Sequence, residues 1–350
     1  MARVGIIGHG WGERSQGPNF RDAGIDVVAI AGRDSWRELV ARNDIDLVSI
    51  AMPPALHLEI ATAALDAGKH VICEKPTALN AAEAERLVAA SEKHPKQIAI
   101  IDHELRFLPS FRTARKRIGD IGAIRYAEVR YSSPSRGDRS RPWNWWSDAS
   151  QGGGVWGAVG SHFIDALRYL GCEIEAVQAM LATIIDERSG KRVTSDDFAA
   201  VHLRLGAAAS GDSNQLRFGA SDRLKPVLHS ALATMTFSAV ASGADEPTSM
   251  TVHGESGAFR LTGEELLFAK PRGVFERIAG NELAQRPGNS AGGAFGTGTY
   301  HLGLAIRRAI DEGDRSALAP AATFRDGLAQ QRALDAARRS SAEGGRWTDV

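Results

Sequence analysis

Five short aliphatic and β-branched runs, "RVGIIG" (3–8), "DVVAIAG" (26–32), "DLVSIAM" (46–52), "KHVICEK" (69–75) and "QIAIID" (97–102), alternate with helix-forming stretches at the start of the chain. Strands buried on both faces read as continuous apolar runs, and strands that alternate with helices imply a parallel, doubly wound α/β sheet. Only about a dozen residues separate the second run from the third, and "SWRELVARN" supplies one short helix there. The usual outer strand is therefore expected to be missing. The sheet should run 2-1-3-4-5 with the second strand at its edge. Asn80 followed by Glu83 has capping-box spacing and predicts a helix start before "AEAERLVAASEKH".

After Gly122 the texture changes to longer runs: "AIRYAEVRYSS", "IEAVQAMLATII", "FAAVHLRLG" and "SMTVHGESGAFRLTG". These predict a second α+β domain on a largely antiparallel sheet. The chain of 350 residues exceeds the roughly 250–300 at which single cores stop growing, which also favours two domains. We expect residues 1–122 to form the first domain and 123–350 the second. Glycine-rich "QRPGNSAGGAFGTGT" (285–299) reads as a mobile loop. Two helical stretches, "YHLGLAIRRAIDEG" and "FRDGLAQQRALDAARRSS", follow it.

Lysine plus arginine and aspartate plus glutamate both number 42, so no net field draws in nucleic acid or an anionic membrane. Small molecules and copies of the chain itself are the expected partners. Cys73 and Cys172 stand far apart, with neither a disulfide framework nor a C-x-x-C spacing. A cytoplasmic location is expected, because the first strand begins at Arg3 without a leader and no apolar run reaches the ~18 residues that cross a bilayer.

The first strand runs into Gly8-x-Gly10-x-x-Glu13. A glycine turn that follows a strand and opens a helix lets backbone N–H groups approach a pyrophosphate at a helix start. Gly8, Gly10, Trp11 and Gly12 are the candidate contacts. Glu13 occupies the third glycine's place, whose role is helix–strand packing. The second strand ends in Gly32 and Arg33 where an acidic residue would grip the ribose of NAD; a guanidinium suits a 2′-phosphate, so NADP is favoured over NAD. The loop after the third strand adds Met52, Pro53 and His57. His57, His103 and His253 are each more simply structural or exposed, with His57 the best placed of them for a cofactor.

"CEKP" (73–76), set within "AMPPALHLEIATAALDAGKHVICEKPTALNAAEAERLV", together with "GGGVWGAVGSHFIDALRYLG", resembles the Gfo/Idh/MocA oxidoreductase family over nearly the whole length. "LRFLPSF", "PWNWWSD", "TSDDFAAVHLRL" and "AATFRDGLAQQRALDAARRSSAEGGRW" are similar to the glucose-fructose oxidoreductase domain-containing proteins and their bacterial relatives. The resemblance implies a Rossmann domain, then an open-faced sheet that commonly forms the subunit contact in a homodimer or homotetramer, and a substrate pocket between the domains. It implies Glu74 and Lys75 near the nicotinamide, Lys75 and His162 as catalytic residues, and a sugar, cyclitol or related polyhydroxy substrate. Glu104, Arg106, Trp145, Trp146 and Asp165 are candidate substrate residues, with the tryptophans read equally well as core. No metal is implied.

One position departs from the pattern. Family members that dehydrogenate sugars usually carry aspartate four residues before the histidine, and this chain has Ala158. General acid-base groups typically contribute 10²- to 10⁴-fold, so His162 acting alone still permits an NAD(P)-dependent oxidoreductase. Ala158 equally leaves open a cofactor-binding sensor or partner protein without turnover, and the resemblance allows a lyase or hydrolase that uses the cofactor transiently.

Overall fold

The computed structural model describes residues 1–207, 231–243, 248–263, 265–279 and 293–350. The chain divides into two compact units, Met1–Leu108 with Ala284–Gln331, and Pro109–Leu283 with Arg332–Val350. The boundary expected at residue 122 lies inside the second unit, and a late stretch of the chain returns to the first.

In the first unit, β1 (Arg3–Ile7), β2 (Asp26–Ala31), β3 (Leu47–Ile50), β4 (His70–Cys73) and β5 (Ala99–Ile101) form a parallel sheet in the order β2-β1-β3-β4-β5. This is the expected order, with β2 at one edge. At the other edge a two-residue strand, Ala322–Thr323, pairs antiparallel with β5, an addition that the apolar runs do not announce. The helices of this unit include α1 (Gly17–Asp22), α2 (Trp36–Val40), α3 (His57–Asp66), α4 (Ala81–Lys93), the late helix Gly293–Asp311 and the start of a helix over Phe324–Ala342.

Successive strand residues alternate between two cores. Ile7, Val48, Ile50, Val71 and Cys73 meet Leu39 of α2, Ile60 and Ala64 of α3 and Leu87 of α4. Val4, Ile6, Leu47, Ile72 and Ile100 point the other way, onto Phe20 of α1 and Leu302 and Ile306 of the late helix. Each such residue, fully buried, adds about 1.5–3 kcal/mol, so the sheet is held from both faces. The start of α4 follows the expected cap: Asn80 Oδ1 accepts from the Glu83 amide at 3.0 Å. The Glu83 carboxylate reaches back to the Leu79 amide at 3.2 Å, one residue beyond the usual capping box.

The expected loop over 285–299 requires correction in its second half. Residues 285–292 lie outside the described residues, but 293–299 are helical. The glycines there serve close approach rather than flexibility. A methyl group on Gly298 would fall 2.5 Å from the Glu104 carbonyl oxygen, and one on Gly303 would fall 2.8 Å from the Ala23 side chain.

The second unit contains α5 (Pro109–Lys116), α6 (Ser161–Tyr169) and a nine-stranded sheet. Its strands are β6 (Ile124–Ser132), β7 (Cys172–Ala182), β10 (Phe198–Ala207), β11 (Ala231–Ser238), β12 (Ser249–Gly254), β13 (Ala258–Thr262), β14 (Glu265–Ala269), β15 (Glu276–Ala279) and Thr348–Asp349, while β8 (Glu187–Arg188) and β9 (Lys191–Arg192) form a separate hairpin. Pairing is antiparallel except between β6 and β11. Phe237 of β11 anchors the inner face, with the rings of Trp156 and Phe163 each 5.8 Å from it.

The outer face is not the apolar surface that a buried subunit contact suggests. Glu128 of β6 stands in register between Thr234 and Thr251, and Arg130 between Thr236 and Ser249. With Arg260 and Thr262 they line an open groove of about 680 Å³. Met180 and Leu232 are exposed apolar side chains elsewhere in this sheet. Each unit holds one buried free thiol, Cys73 at the end of β4 and Cys172 at the start of β7. No helix among the described residues is long and apolar enough to cross a membrane.

Candidate functional site

In the first unit the candidate residues gather at the carboxyl ends of the parallel strands, where open α/β sheets bind ligands. Gly8 has φ +136°, and a side chain on it would run into the Ala51 carbonyl. Gly10 faces open space, with its nearest neighbour, Arg14 Nη2, at 4.0 Å. Gly12 is pressed against the sheet: a methyl group there would sit 2.7 Å from Ile6 Cγ2 and 2.9 Å from Ala51 Cβ. The packing glycine of this turn is therefore Gly12, and Glu13 replaces nothing structural. The helix can reach the strand one residue early because it opens as a wide turn over Gly12–Gln16, with the Glu13 amide bonded five residues back to Gly8. Glu13 turns outward to His9 Nδ1 at 2.9 Å, while Arg14 bonds the Gly10 carbonyl. Trp11 is half-buried beside the turn.

This turn fits a nicotinamide dinucleotide: an uncovered backbone at Gly10 lies between a glycine that only positive φ permits and a glycine that lets the helix close. Gly32 packs beneath the His9 ring and Arg33 is exposed. Met52 is half-buried and Pro53 buried. His57 is fully buried, with Nε2 2.8 Å from the Met52 carbonyl and Nδ1 3.1 Å from that of Pro76. Burial pushes its pKa down. The ring lies between carbonyls of the loops after β3 and β4, and its single N–H donates to one of them, so His57 packs as a wedge between those loops.

Beneath Lys75 lies a polar network that sequence reading did not find. The Gln16 amide nitrogen donates to Glu74 Oε1 at 2.9 Å and to Asp102 Oδ2 at 2.7 Å, and its oxygen accepts from Ser49 Oγ at 2.8 Å. Gln16 thus bridges the two buried carboxyl groups. Burial, then the neighbouring Asp102 charge, pushes the Glu74 pKa up to about 8, and burial raises Asp102 as well, against the opposing bonds from Gln16 and Glu74. Glu74, raised to about 8, is protonated at neutral pH. Lys75 Nζ stands 3.9 Å from Glu74 Oε2, at the mouth of this network.

Two other candidates from the first unit sit deeper. Glu104 is buried, and desolvation first, then the neighbouring Asp102 carboxylate, pushes its carboxyl well above the ordinary range. Arg106 is 7% exposed, and its guanidinium is engaged by Asp326 at 3.2 Å and the Pro320 carbonyl at 3.5 Å. These contacts give Arg106 a structural anchor.

In the second unit, a wide turn over Trp156–Gly160 leads into α6. Asp196, which sequence reading passed over within "TSDDF", fixes this turn. Its carboxylate accepts from the Trp156 amide at 2.7 Å and its carbonyl from the Val155 amide at 2.8 Å. Only glycine fits at 154, where φ is +113° and any side chain would collide with the Asp196 carboxylate. Burial pushes the pKa of Asp196 up to about 6. Along the turn and helix, Ala158, His162 and Asp165 are buried, with Phe163, Leu167 and Leu170 in the core as their spacing predicts. Trp145 and Trp146 form a one-turn helix capped by Asn144, with rings 6.0 Å apart. Their carbonyls abut Gly153, and the Trp146 carbonyl accepts from Ser195 Oγ at 2.6 Å.

Comparison with known proteins decides the kinship. Residues 30–102 match the oxidoreductase family model with the NAD-binding Rossmann fold, and residues 111–260 match the GFO/IDH/MocA C-terminal domain. The chain belongs to the Gfo/Idh/MocA oxidoreductase family. Among curated members, the glucose-fructose oxidoreductase domain-containing protein 2 of Xenopus laevis is 30% identical over 337 residues, covering 89% of this chain and 79% of that protein. Its Homo sapiens counterpart is 28% identical over 379 residues, covering 99% and 93%. A levoglucosan dehydrogenase solved with NADH and levoglucosan superposes with a TM-score of 0.80 at 25% identity, covering 100% of this chain and 99% of that one. The family places this chain among enzymes with an NAD-binding Rossmann fold, in agreement with the glycine turn. Among the described residues no metal-binding cluster occurs.

Proposed function

We propose that this protein is an NADP-preferring oxidoreductase that interconverts a secondary alcohol and a ketone on a sugar, cyclitol or related polyhydroxy compound. The observation that carries the reading is Lys75, set at the end of β4 over the Glu74–Asp102 pair in the unit that bears the glycine turn. A nicotinamide dinucleotide, when bound, supplies the hydride acceptor or donor. Gly8, Gly10 and Gly12 shape the turn for its pyrophosphate. Exposed Arg33 takes the 2′-phosphate where an acidic residue would repel it.

Loss of hydride from carbon requires that the hydroxyl proton leave and that negative charge on oxygen be stabilised. Lys75 provides the positive charge, and its neighbour Glu74, being protonated, does not neutralise it. His162 provides the proton acceptor, since an imidazole nitrogen can take the hydroxyl proton and return it. Asp196 supports that role by fixing the turn that leads into its helix.

A second reading is favoured by Ala158, which leaves His162 without the aspartate usual in sugar-oxidising relatives: a cofactor-binding sensor or partner protein that does not turn over. A panel of sugars and cyclitols, followed at the absorbance band of reduced nicotinamide with NADP and with NAD, separates the two. Turnover supports the enzyme. Tight cofactor binding with no turnover across the panel supports the second reading. The outer sheet face, with its arginine, glutamate and threonine rows, is assigned to pairing between copies of the chain in a dimer or a dimer of dimers. Light scattering that gives only a monomer at micromolar concentration would remove that assignment. Two free, buried thiols suit a reducing cytoplasm.

A further inference from the structure

The loop that precedes the tryptophan pair carries a cation with no counter-charge among the described residues. Arg136 is half-buried, its guanidinium 4.4 Å from the centre of the Trp146 ring. Its backbone is fixed, because the Arg136 amide donates to the Ala239 carbonyl at 2.7 Å. Arg188 donates to the carbonyls of Arg136 and Asp138, and Arg141 donates to that of Ser135. Three guanidinium groups therefore meet on one short turn. Asp138 balances Arg141 and Arg188, but no carboxylate among the described residues pairs with the Arg136 guanidinium.

A guanidinium taken partly out of water beside two like charges is costly unless an anion joins it. The strain shows in its basicity: burial first, then Arg141 and Arg188, lowers the Arg136 pKa to about 10. A guanidinium seated over an indole keeps the paired N–H groups along its edge for a carboxylate or phosphate, which it can bind through two parallel hydrogen bonds. Trp145 and Trp146 next to it offer ring faces of the kind that pack against the C–H face of a sugar.

We propose that Arg136, backed by Trp146, is a specificity-determining residue that binds the anionic group of an acidic polyhydroxy substrate, either a sugar acid or a sugar phosphate. The polyhydroxy part rests on the function proposed above; the anion site stands on the geometry of this loop alone.

Calorimetric titration of the full-length protein at constant ionic strength, with glucuronate, glucose 6-phosphate and glucose as separate probes, tests the site without reference to turnover. At least one acidic probe should bind tenfold or more tightly than glucose, a difference of about 1.4 kcal/mol. Preference for glucuronate would identify a carboxylate site and preference for glucose 6-phosphate a phosphate site. Arg136→Met should abolish the preference, and Arg136→Lys, which keeps the charge without the planar fork, should retain part of it, with matching thermal unfolding curves establishing that both variants are folded. Glucose binding as tightly as the acids, no binding of either acid, or an unchanged preference in Arg136→Met would overturn the proposal. Turnover of neutral sugars without anion binding would leave the enzyme reading intact and remove this one. Anion binding with no turnover on any sugar would do the reverse.

Discussion

Glu74 and Asp102 are bridged by one side chain inside the first unit, Gln16 holding the two buried carboxyl groups together with both hydrogens of its amide. The pair connects the helix after the glycine turn to the ends of β4 and β5. It also makes stability depend on pH with a definite sign. A carboxyl whose pKa rises from the unfolded value of about 4.3 to about 8 on folding contributes stability that is complete below the first value and lost as pH climbs to the second. The unfolding temperature should fall between about pH 5 and pH 8, and Glu74→Gln, which keeps a donor for Asp102 without a titration, should flatten that fall. Scanning calorimetry across this range checks it; an equal slope in the variant would mean that Glu74 does not hold the proton.

Gly12 and Gly10 should separate fold from ligand. Gly12→Ala places a methyl group against Ile6 and Ala51 and should cost about 1–3 kcal/mol of stability, as overpacking does. Gly10→Ala faces open space and should leave stability nearly unchanged while weakening dinucleotide binding. Thermal unfolding and cofactor titration on both variants test the contrast, which fails if Gly12→Ala is as stable as the parent chain.

Lys75→Met should abolish redox turnover while cofactor affinity stays within about tenfold, or ~1.4 kcal/mol. Steady-state kinetics beside a binding titration reads both quantities. Turnover that survives this substitution would require the catalytic assignment to be rebuilt around other groups.

Arg33→Asp should move preference from NADP toward NAD, because it removes the partner of the 2′-phosphate and restores an acid that can hold the ribose hydroxyls. Titrating both cofactors against both proteins decides the point, and tighter NAD binding by the unaltered chain would refute the reading.

The first sheet was legible because parallel strands buried on both faces leave unbroken apolar runs, and the short interval before β3 had no room for another strand. The Asn80 cap and the inward face of α6 were legible because they depend on neighbours three or four residues away. The carboxyl network was not, since Gln16 meets partners 58 and 86 residues distant and no local pattern marks that meeting. Only the first part of the Gly293–Asp311 helix, residues 293–299, was misread, because glycine lowers helix propensity and here the tertiary contact of Gly298 with Glu104 outweighs propensity. Gly12 was passed over in favour of position 13 because the glycine fingerprint assumes an ordinary helical turn, and this helix begins wider.

The distribution of sulfur has a practical consequence. Cys73 lies at 0% exposure in one unit and Cys172 at 0% in the other, each with a thiol made less acidic by its surroundings. Alkylating reagents attack the thiolate, so neither sulfur reacts until its own unit opens. The chain thus carries two natural clocks: the modification rate at each position times the opening of one unit, and a ligand that steadies only one of them would slow one clock and leave the other running.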